Sequence, residues 1–323
     1  MDVTIVILCW RNQEHLPALL RSIAGQRTSS RFDVVICHNE AESAARSVRP
    51  DAPAGLAISE VFSGANLGYG GGNNFAIAWV RQRSDPRYFL ILNSDVVLHD
   101  GALDALVKWA DGHPEMAVVG AVHDDPSRPG YRCFGGSRYD RTFSIITPNA
   151  SPAGRGIDYV HGAAALLRSA DFPAGKPFAD KYFLFFEELE LAARVEGMGK
   201  RIGYCPECRV SHFEGASRRR RRDDFPPEVA EYFENLNALR FTRDHHPRSL
   251  PTVLLFRVPG KFAYLCLRAQ GARLVFWALA ITDFLRGRVR RFPFQSGWQP
   301  GAGRDQVVDS DFPWLLRRLL RAE

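Results

Sequence analysis

Short apolar runs separated by amphipathic stretches set the pattern of the first part of the chain. Residues 3–8 (V-T-I-V-I-L), 32–37, 58–62, 88–92 and 117–122 are each brief, apolar and bounded by polar or turn residues. Runs of this length predict strands buried in a sheet. Between them the spacing changes. Leu16, Leu19, Leu20 and Ile23 recur at helical intervals, with Asn12 as a cap and Pro17 in the first turn. Helices are also predicted over 75–83, 102–109 and 187–194, the last beginning Glu187-Glu188-Leu189-Glu190. Residues 159–168 read as a strand of small residues, 201–204 as another, and 210–215 as its continuation to a histidine. Residues 124–155, rich in Pro and Gly, predict loops or a small hairpin over the sheet. The rhythm of strand, helix, strand, loop, strand is that of a doubly wound nucleotide-binding sheet.

Several polar residues fall where such a sheet binds ligands. The run 88–92 stops at Asn93-Ser94-Asp95, which makes Asp95 either a metal-holding carboxylate at the sheet edge or a turn residue. Residues 64–74 (G-A-N-L-G-Y-G-G-G-N-N) precede a helix, as expected of backbone N–H groups approaching an anion, or of a flexible loop. They follow the third strand rather than the first, unlike a dinucleotide fingerprint. Glu187 and Glu190 share a helical face, while Glu188 points elsewhere. A carboxylate and the imidazole of His212 suit Mg²⁺ or Mn²⁺, and a second carboxylate suits a general base. The alternatives are a solvated helix start and a structural histidine.

Composition changes this picture in two places. The 323 residues carry a net charge of +6, but residues 251–323 hold 12 Lys/Arg against 5 Asp/Glu, leaving 30 against 31 in the rest. The basic character belongs to the tail, which argues against nucleic acid as a partner of the main domain. The six cysteines are scattered, as suits reduced thiols in the cytosol. The N-terminus enters a strand without a leader pattern, and no uncharged apolar stretch of about 18 residues occurs. The longest apolar candidate is 274–282. A cytoplasmic protein, peripheral on the inner face of the plasma membrane, is the expectation.

Four motifs in order carry a resemblance. They are residues 64–74, I-L-N-S-D-V at 91–96, Y-F-L-F-F-E-E-L-E-L at 182–191, and P-E-C-R-V-S-H-F-E-G-A-S at 206–217. The chain from residue 3 to about 217 resembles the inverting family 2 glycosyltransferases, within them the bacterial rhamnosyltransferase branch. The resemblance implies an α/β fold of GT-A type, a Rossmann-like nucleotide-sugar-binding mixed sheet flanked by helices, with a C-terminal helical extension. It implies a GT-A catalytic domain at 1–217, a basic linker and helix at 218–249, and a basic amphipathic extension at 250–323. Asp95 and His212 then hold Mg²⁺ or Mn²⁺. Glu188 deprotonates the acceptor where the family has Asp, with Glu187 as competitor. Trp10 contacts the donor base, and Asn66, Gly68, Tyr69, Asn73, Asn74, Asn93 and Ser94 lie along the donor. At the base-reading position the family's V-D-N is replaced by Cys37-His38-Asn39, where a neutral His38 accepts through one ring nitrogen.

The function so implied is transfer of rhamnose from dTDP-rhamnose to a glycan or polyprenyl-linked acceptor. The alternatives are a UDP-sugar donor (galactofuranose or hexose), or a catalytically silent nucleotide- or glycan-binding protein. A nucleotidyltransferase needs a basic triphosphate loop near the N-terminus, where only Arg11 is available. Cys205, Cys208 and His212 have zinc-like spacing without a fourth ligand. Arg218 to Arg222 form a charge run, either solvated or facing an anion. The tail alternates apolar and basic residues, as suits an anionic membrane surface, a helical hairpin packed on the main domain, or a homodimer contact.

Overall fold

The computed structural model describes residues 1–45, 53, 55–152, 156–213, 226–295, 298 and 305–309. Arg218 to Arg222, and the Glu214–Ser217 end of the last motif, lie outside the described residues. The predicted apolar runs form the centre of a mixed sheet. β1 (Val3–Cys9), β2 (Phe32–His38), β3 (Ile58–Phe62) and β4 (Tyr88–Asn93) are parallel, in the order β3-β2-β1-β4. The sheet continues from β4 through β11 (Ala164–Arg168), β6 (Met116–Asp124) and β12 (Arg201–His212) to the short β5 (Val96–Leu98). β11 runs antiparallel to both neighbours, which makes the sheet mixed.

Apolar residues cover both faces. Ile5, Ile7, Leu90 and Leu92 pack on one side with α1 (Leu16–Ala24) and α3 (Ala102–Gly112). Val6, Phe89 and Ile91 pack on the other with α2 (Gly68–Arg81) and α4 (Glu187–Gly197). Burial on two faces explains why these strands read as continuous runs rather than alternation.

Three readings change. Residues 159–168 are not one strand. β10 (Tyr159–Val160) joins a small sheet with β8 (Gly136–Asp140) and β9 (Ile145–Pro148), and the chain crosses at His161-Gly162-Ala163 into the main sheet as β11. The small residues serve that crossing. Second, the zinc-like spacing lies along β12, which continues to His212 as expected, with register shifts at Arg201/Ile202 and between Cys205 and Arg209. Cys205 and Cys208 are both buried, and burial pushes the Cys205 thiol up to about 11 and the Cys208 thiol higher still. Cys205, Cys208 and His212 form no group of three that could hold a metal among the described residues, so the zinc reading finds no site there. Third, Asn12 does not cap α1: its Oδ1 accepts the Trp10 N–H (2.9 Å) and the Cys9 thiol (3.1 Å), and a 3₁₀ turn intervenes.

The tail packs on the catalytic half. α5 (Pro227–His245), α7 (Gly271–Leu285), Phe292 and Trp298 share a core with Phe183. Between α5 and α7 runs α6, the helical segment Pro247–Leu267, with a π-helical stretch at Val253–Arg257. It is the one helix among the described residues long and apolar enough to cross a membrane by length and composition. The sequence reads this stretch as a basic amphipathic segment rather than a span, because charges interrupt its apolar residues. Two of them, Arg257 and Lys261, turn inward, to Glu234 and Glu231 of α5.

Candidate functional site

Asp95 sits in the turn between β4 and β5, and His212 ends β12. β5 and β12 are paired with His212 opposite Val96, so the ladder itself brings the two side chains together. His212 Nε2 lies 3.4 Å from Asp95 Oδ1. Burial pushes the Asp95 carboxyl up, but the hydrogen bond and charge of His212, with His15 behind it, outweigh this and hold it below the usual range. Ser94, in the same turn, is buried with its hydroxyl unpartnered.

One carboxylate and one imidazole fit a hard divalent cation that draws its remaining ligands from substrate oxygens and water. No cluster of three or more His, Cys, Asp or Glu that could hold a metal exists among the described residues. Behind His212 stands His123, with His161 beyond it at ring-centroid distances of 5.9 and 5.6 Å. His123 is buried with neither ring nitrogen partnered, and burial reinforced by its two histidine neighbours keeps it neutral.

Glu188 reaches the same place from the other direction. The Gly162 N–H donates to Glu188 Oε1 (2.9 Å), and the next carbonyl, of Ala163, accepts the Asn93 N–H (3.1 Å). One short backbone bridge thus joins the Glu188 carboxylate to the turn that carries Asp95. Tyr69 closes it from the glycine-rich side, donating its hydroxyl to the Gly162 carbonyl (2.7 Å). A Cβ on Gly162 would lie 2.2 Å from the Tyr69 hydroxyl and 2.8 Å from Glu188 Oε1, so only glycine fits.

The two glutamates differ. Glu187 is buried with Oε2 unpartnered, and burial together with the Glu188 charge raises its carboxyl well above the usual range. Glu188 is half-buried, and burial, opposed by the Gly162 N–H, raises it to about 7. The turn before them is strained. Phe185 and Phe186 have φ of 65° and 72°, the left-handed region that bulky residues avoid. Asn237 of α5 holds the turn, donating to the carbonyls of Leu184 (2.9 Å) and Phe185 (3.2 Å). Glu190, on the next turn of α4, binds Lys181 (2.9 Å) and His245 (2.7 Å) instead.

The glycine-rich segment corrects an expectation. α2 begins at Gly68, not near 75, and its leading N–H groups already have protein acceptors. Leu67 donates to Asn39 Oδ1, Gly68 to Asn66 Oδ1, and Tyr69 to the Phe183 carbonyl, all at 3.0–3.1 Å. Those three are not free to cradle an anion. Gly68 has φ +78°, and a Cβ there would stand 2.3 Å from the Phe183 carbonyl oxygen. Asn73 donates to the Tyr69 carbonyl (3.0 Å), and Asn74 exchanges hydrogen bonds with the backbone of Phe178 (2.8 and 3.1 Å). Asn66, Asn73 and Asn74 therefore fix the wall of the cleft with their side chains.

Trp10 follows β1 and is partly exposed. Its ring lies 6.3 Å from Phe294 of the tail, with Arg11 over it at 5.4 Å. His38 ends β2 fully buried, stacked on Phe62, with Nε2 at 2.8 Å from Glu60. Its Nδ1 has no partner. Sequence reasoning missed Asn39, Glu60, Gly162 and Asn237. Asn39 was visible beside His38, whereas the other three act only through long-range contacts.

Residues 4–171 match the profile of glycosyl transferase family 2. The chain is 25% identical over 179 residues to an N-acetylglucosaminyl-diphospho-decaprenol L-rhamnosyltransferase of Mycobacterium tuberculosis, covering 48% of this chain and 58% of that protein. It thus spans little more than half the length of that relative. It is 22% identical to Rhamnosyltransferase WbbL of Escherichia coli, covering 65% of this chain and 83% of the relative. Among solved structures, S. aureus TarS in complex with UDP-GlcNAc superposes with a TM-score of 0.53 at 16% identity, covering 88% of this chain and 81% of that one. A mannosyltransferase of Pyrobaculum calidifontis in complex with GDP-Man and Mn2+ gives 0.50 at 15%, covering 88% and 87%. These structures share the GT-A fold with it, and by the match over half its length the chain belongs to glycosyl transferase family 2.

Proposed function

We propose that the protein is a metal-dependent inverting glycosyltransferase. It moves rhamnose from dTDP-rhamnose to a hydroxyl of a glycan or polyprenyl-linked acceptor at the cytoplasmic face of a membrane. The observation that carries this reading is the bridge from Glu188 through Gly162, Ala163 and Asn93 to the Asp95 turn. It supports a base and a cation-holding pair acting together at one end of β4 and β11. Asp95 and His212 hold the Mg²⁺ or Mn²⁺. When bound, the ion neutralises charge on the departing diphosphate.

Glu188 does the proton chemistry. Its Oε1 is occupied by the Gly162 N–H, so Oε2 takes the proton of the acceptor hydroxyl. The hydroxyl oxygen bonds to the anomeric carbon from the face opposite the diphosphate. The bond to the diphosphate oxygen breaks, its electron pair leaves with the nucleoside diphosphate, and the configuration inverts. Glu187, buried and raised well above the usual range by that burial and by the Glu188 charge, is a poor competitor for the role.

Trp10 stacks on the base, Asn93 and Ser94 lie under the diphosphate, and Asn66, Gly68, Tyr69, Asn73 and Asn74 shape the donor wall. His38 is fully buried against Phe62 with Nε2 on Glu60, so it braces the base-reading position from behind rather than touching the base. The two rhamnosyltransferase relatives support rhamnose as the sugar moved. The UDP-GlcNAc bound to TarS makes a UDP-sugar the second reading.

Nucleotide release from a panel of dTDP- and UDP-sugars, with Mn²⁺ or Mg²⁺, tests both. dTDP-rhamnose is expected to turn over fastest and Asp95→Ala to abolish the metal requirement together with activity. A panel in which no donor turns over or raises the melting temperature ends the enzyme reading.

A further inference from the structure

α6 turns an uncharged face outward. Leu255, Pro259, Phe262 and Cys266 follow one another at helical intervals with Phe256, Ala263 and Leu267 beside them, and all seven are exposed. Leu255 is 67% exposed and Leu267 87%. The two cations of the helix interior, Arg257 and Lys261, point the other way, to Glu234 and Glu231. The outward face therefore carries no charge between Arg248 and Arg268, both exposed, which bracket it.

A second segment, distant in sequence, extends this face. Phe143, Ile145 and Ile146, at the tip of the β8–β9 hairpin, are also exposed. Two contacts fix that tip to α6. Arg257 Nη1 donates to the Ser144 carbonyl (2.8 Å), and the Phe143 and Phe256 rings meet edge to face with centroids 5.9 Å apart. Ser144 is itself held by the Tyr139 hydroxyl (2.9 Å). Hairpin and helix thus present one apolar surface, and a contiguous surface of this kind marks a docking site.

Charge selects the occupant. Residues 248–290 contain eight Lys/Arg and a single acid, Asp283, which is fully buried against Arg290 and Tyr232. An apolar face bracketed by cations, with no exposed acid along these helices, is complementary to an anionic bilayer surface. Apolar side chains enter the acyl boundary while arginines meet the headgroups.

We propose that the β8–β9 tip and α6 together form a docking surface for anionic membrane, with the helix lying in the interface plane. The β8–β9 sheet continues through β10 into His161-Gly162, the residues beside Glu188. The docked surface is thereby tied to the acceptor side of the site, and a lipid-linked hydroxyl arrives along the membrane. That use rests on the transferase reading. The docking does not, because it is measured without turnover.

The test is flotation of the full chain with vesicles of phosphatidylcholine alone or mixed with phosphatidylglycerol, at low and high salt. Binding to the mixed vesicles that weakens with salt is expected. The double variants Leu255→Ser/Phe256→Ser and Ile145→Ser/Ile146→Ser should each lower partitioning by about tenfold or more. Arg248→Gln/Arg268→Gln should do the same on anionic vesicles only. Unchanged melting temperature and donor hydrolysis confirm that the surface variants are folded. No flotation with either vesicle, or flotation untouched by the serine variants, overturns the proposal. So does a concentration-dependent dimer that the serine variants dissolve, since the face then belongs to a second copy.

Discussion

The two halves of the site are built by different means. At the sheet edge, Asp95 and His212 meet because β5 and β12 pair, and every hydrogen bond of that ladder supports the same register. At the start of α4 no ladder exists. Glu188 is aimed by two phenylalanines in left-handed conformation, by Asn237 clamping their carbonyls, and by one N–H from Gly162. The first arrangement spreads its support over a strand pair, so a side chain can be removed there without moving its neighbours. The second concentrates support in a few contacts, so small changes travel. Strain of this kind costs on the order of 1–3 kcal/mol per residue and persists only where the surroundings enforce it.

The largest contrast is between removing a group from each half. Glu188→Gln takes away the base and leaves the shape, so turnover should fall by about a thousandfold with donor affinity unchanged. Asp95→Ala should lower both turnover and donor affinity, because the sheet edge faces the diphosphate before and during transfer. Donor titration alongside single-turnover kinetics separates the two. A Glu188→Gln enzyme that keeps its rate assigns the base elsewhere.

Next in size is Gly162→Ala. The added methyl has no room between the Tyr69 hydroxyl and Glu188 Oε1, so one of them must move. Misplacing a base by about 1 Å costs on the order of a hundredfold in rate. The expected signature is lost turnover with donor affinity retained and a melting temperature lowered only slightly. Lost donor binding instead would mean that the bridge shapes the donor side more than the acceptor side.

The pH profile comes third. Glu188 must be ionised to take a proton, and its carboxyl is raised to about 7, so turnover should fall as pH drops below about 7. Burial and the Glu188 charge raise Glu187 as well, which favours its neutral form. Glu187→Gln therefore replaces one neutral group by another, keeps most of the activity and leaves the acid limb near 7. A limb that shifts down by about one unit or more in Glu187→Gln would show that the pair titrates in the opposite order.

The ladder half was legible in the sequence, and the turn half only partly so. Runs such as 88–92 announce strands because burial on both faces demands apolar residues without interruption, and the polar stop at Asn93-Ser94-Asp95 follows from where the strand ends. His212 was found by its motif, at the end of the strand that the pattern carried to it, although the register shift between Cys205 and Arg209 was not legible. Glu187 and Glu188 were found too, but not what separates them. Their difference is one of burial, which local spacing does not record. The glycines at 68–72 misled because close packing and anion binding call for the same residue, and only coordinates distinguish the Phe183 carbonyl from a phosphate. α6 was legible as a basic amphipathic segment, but a charge count cannot see that Arg257 and Lys261 face α5.

The smallest effect on activity is expected at Glu190, which shares its helix with Glu188 and belongs to neither half of the site. Burial pushes its carboxyl up, but the bonds from His245 and Lys181 and their charges prevail and hold it down at about 2. A carboxylate depressed from an ordinary 4.5 stabilises the fold above pH 4.5 and loses that contribution as pH falls toward 2. Glu190→Gln should cost roughly 2 kcal/mol at neutral pH, allowing for solvent at the network's edge, with turnover changed by less than about twofold. Urea melts of both proteins at pH 7 and pH 3 check it, the gap between them narrowing at the lower pH. A variant of undiminished stability with lost turnover would instead place the Lys181–His245 network inside the catalytic half, and the separation between Glu188 and its own helix would fail.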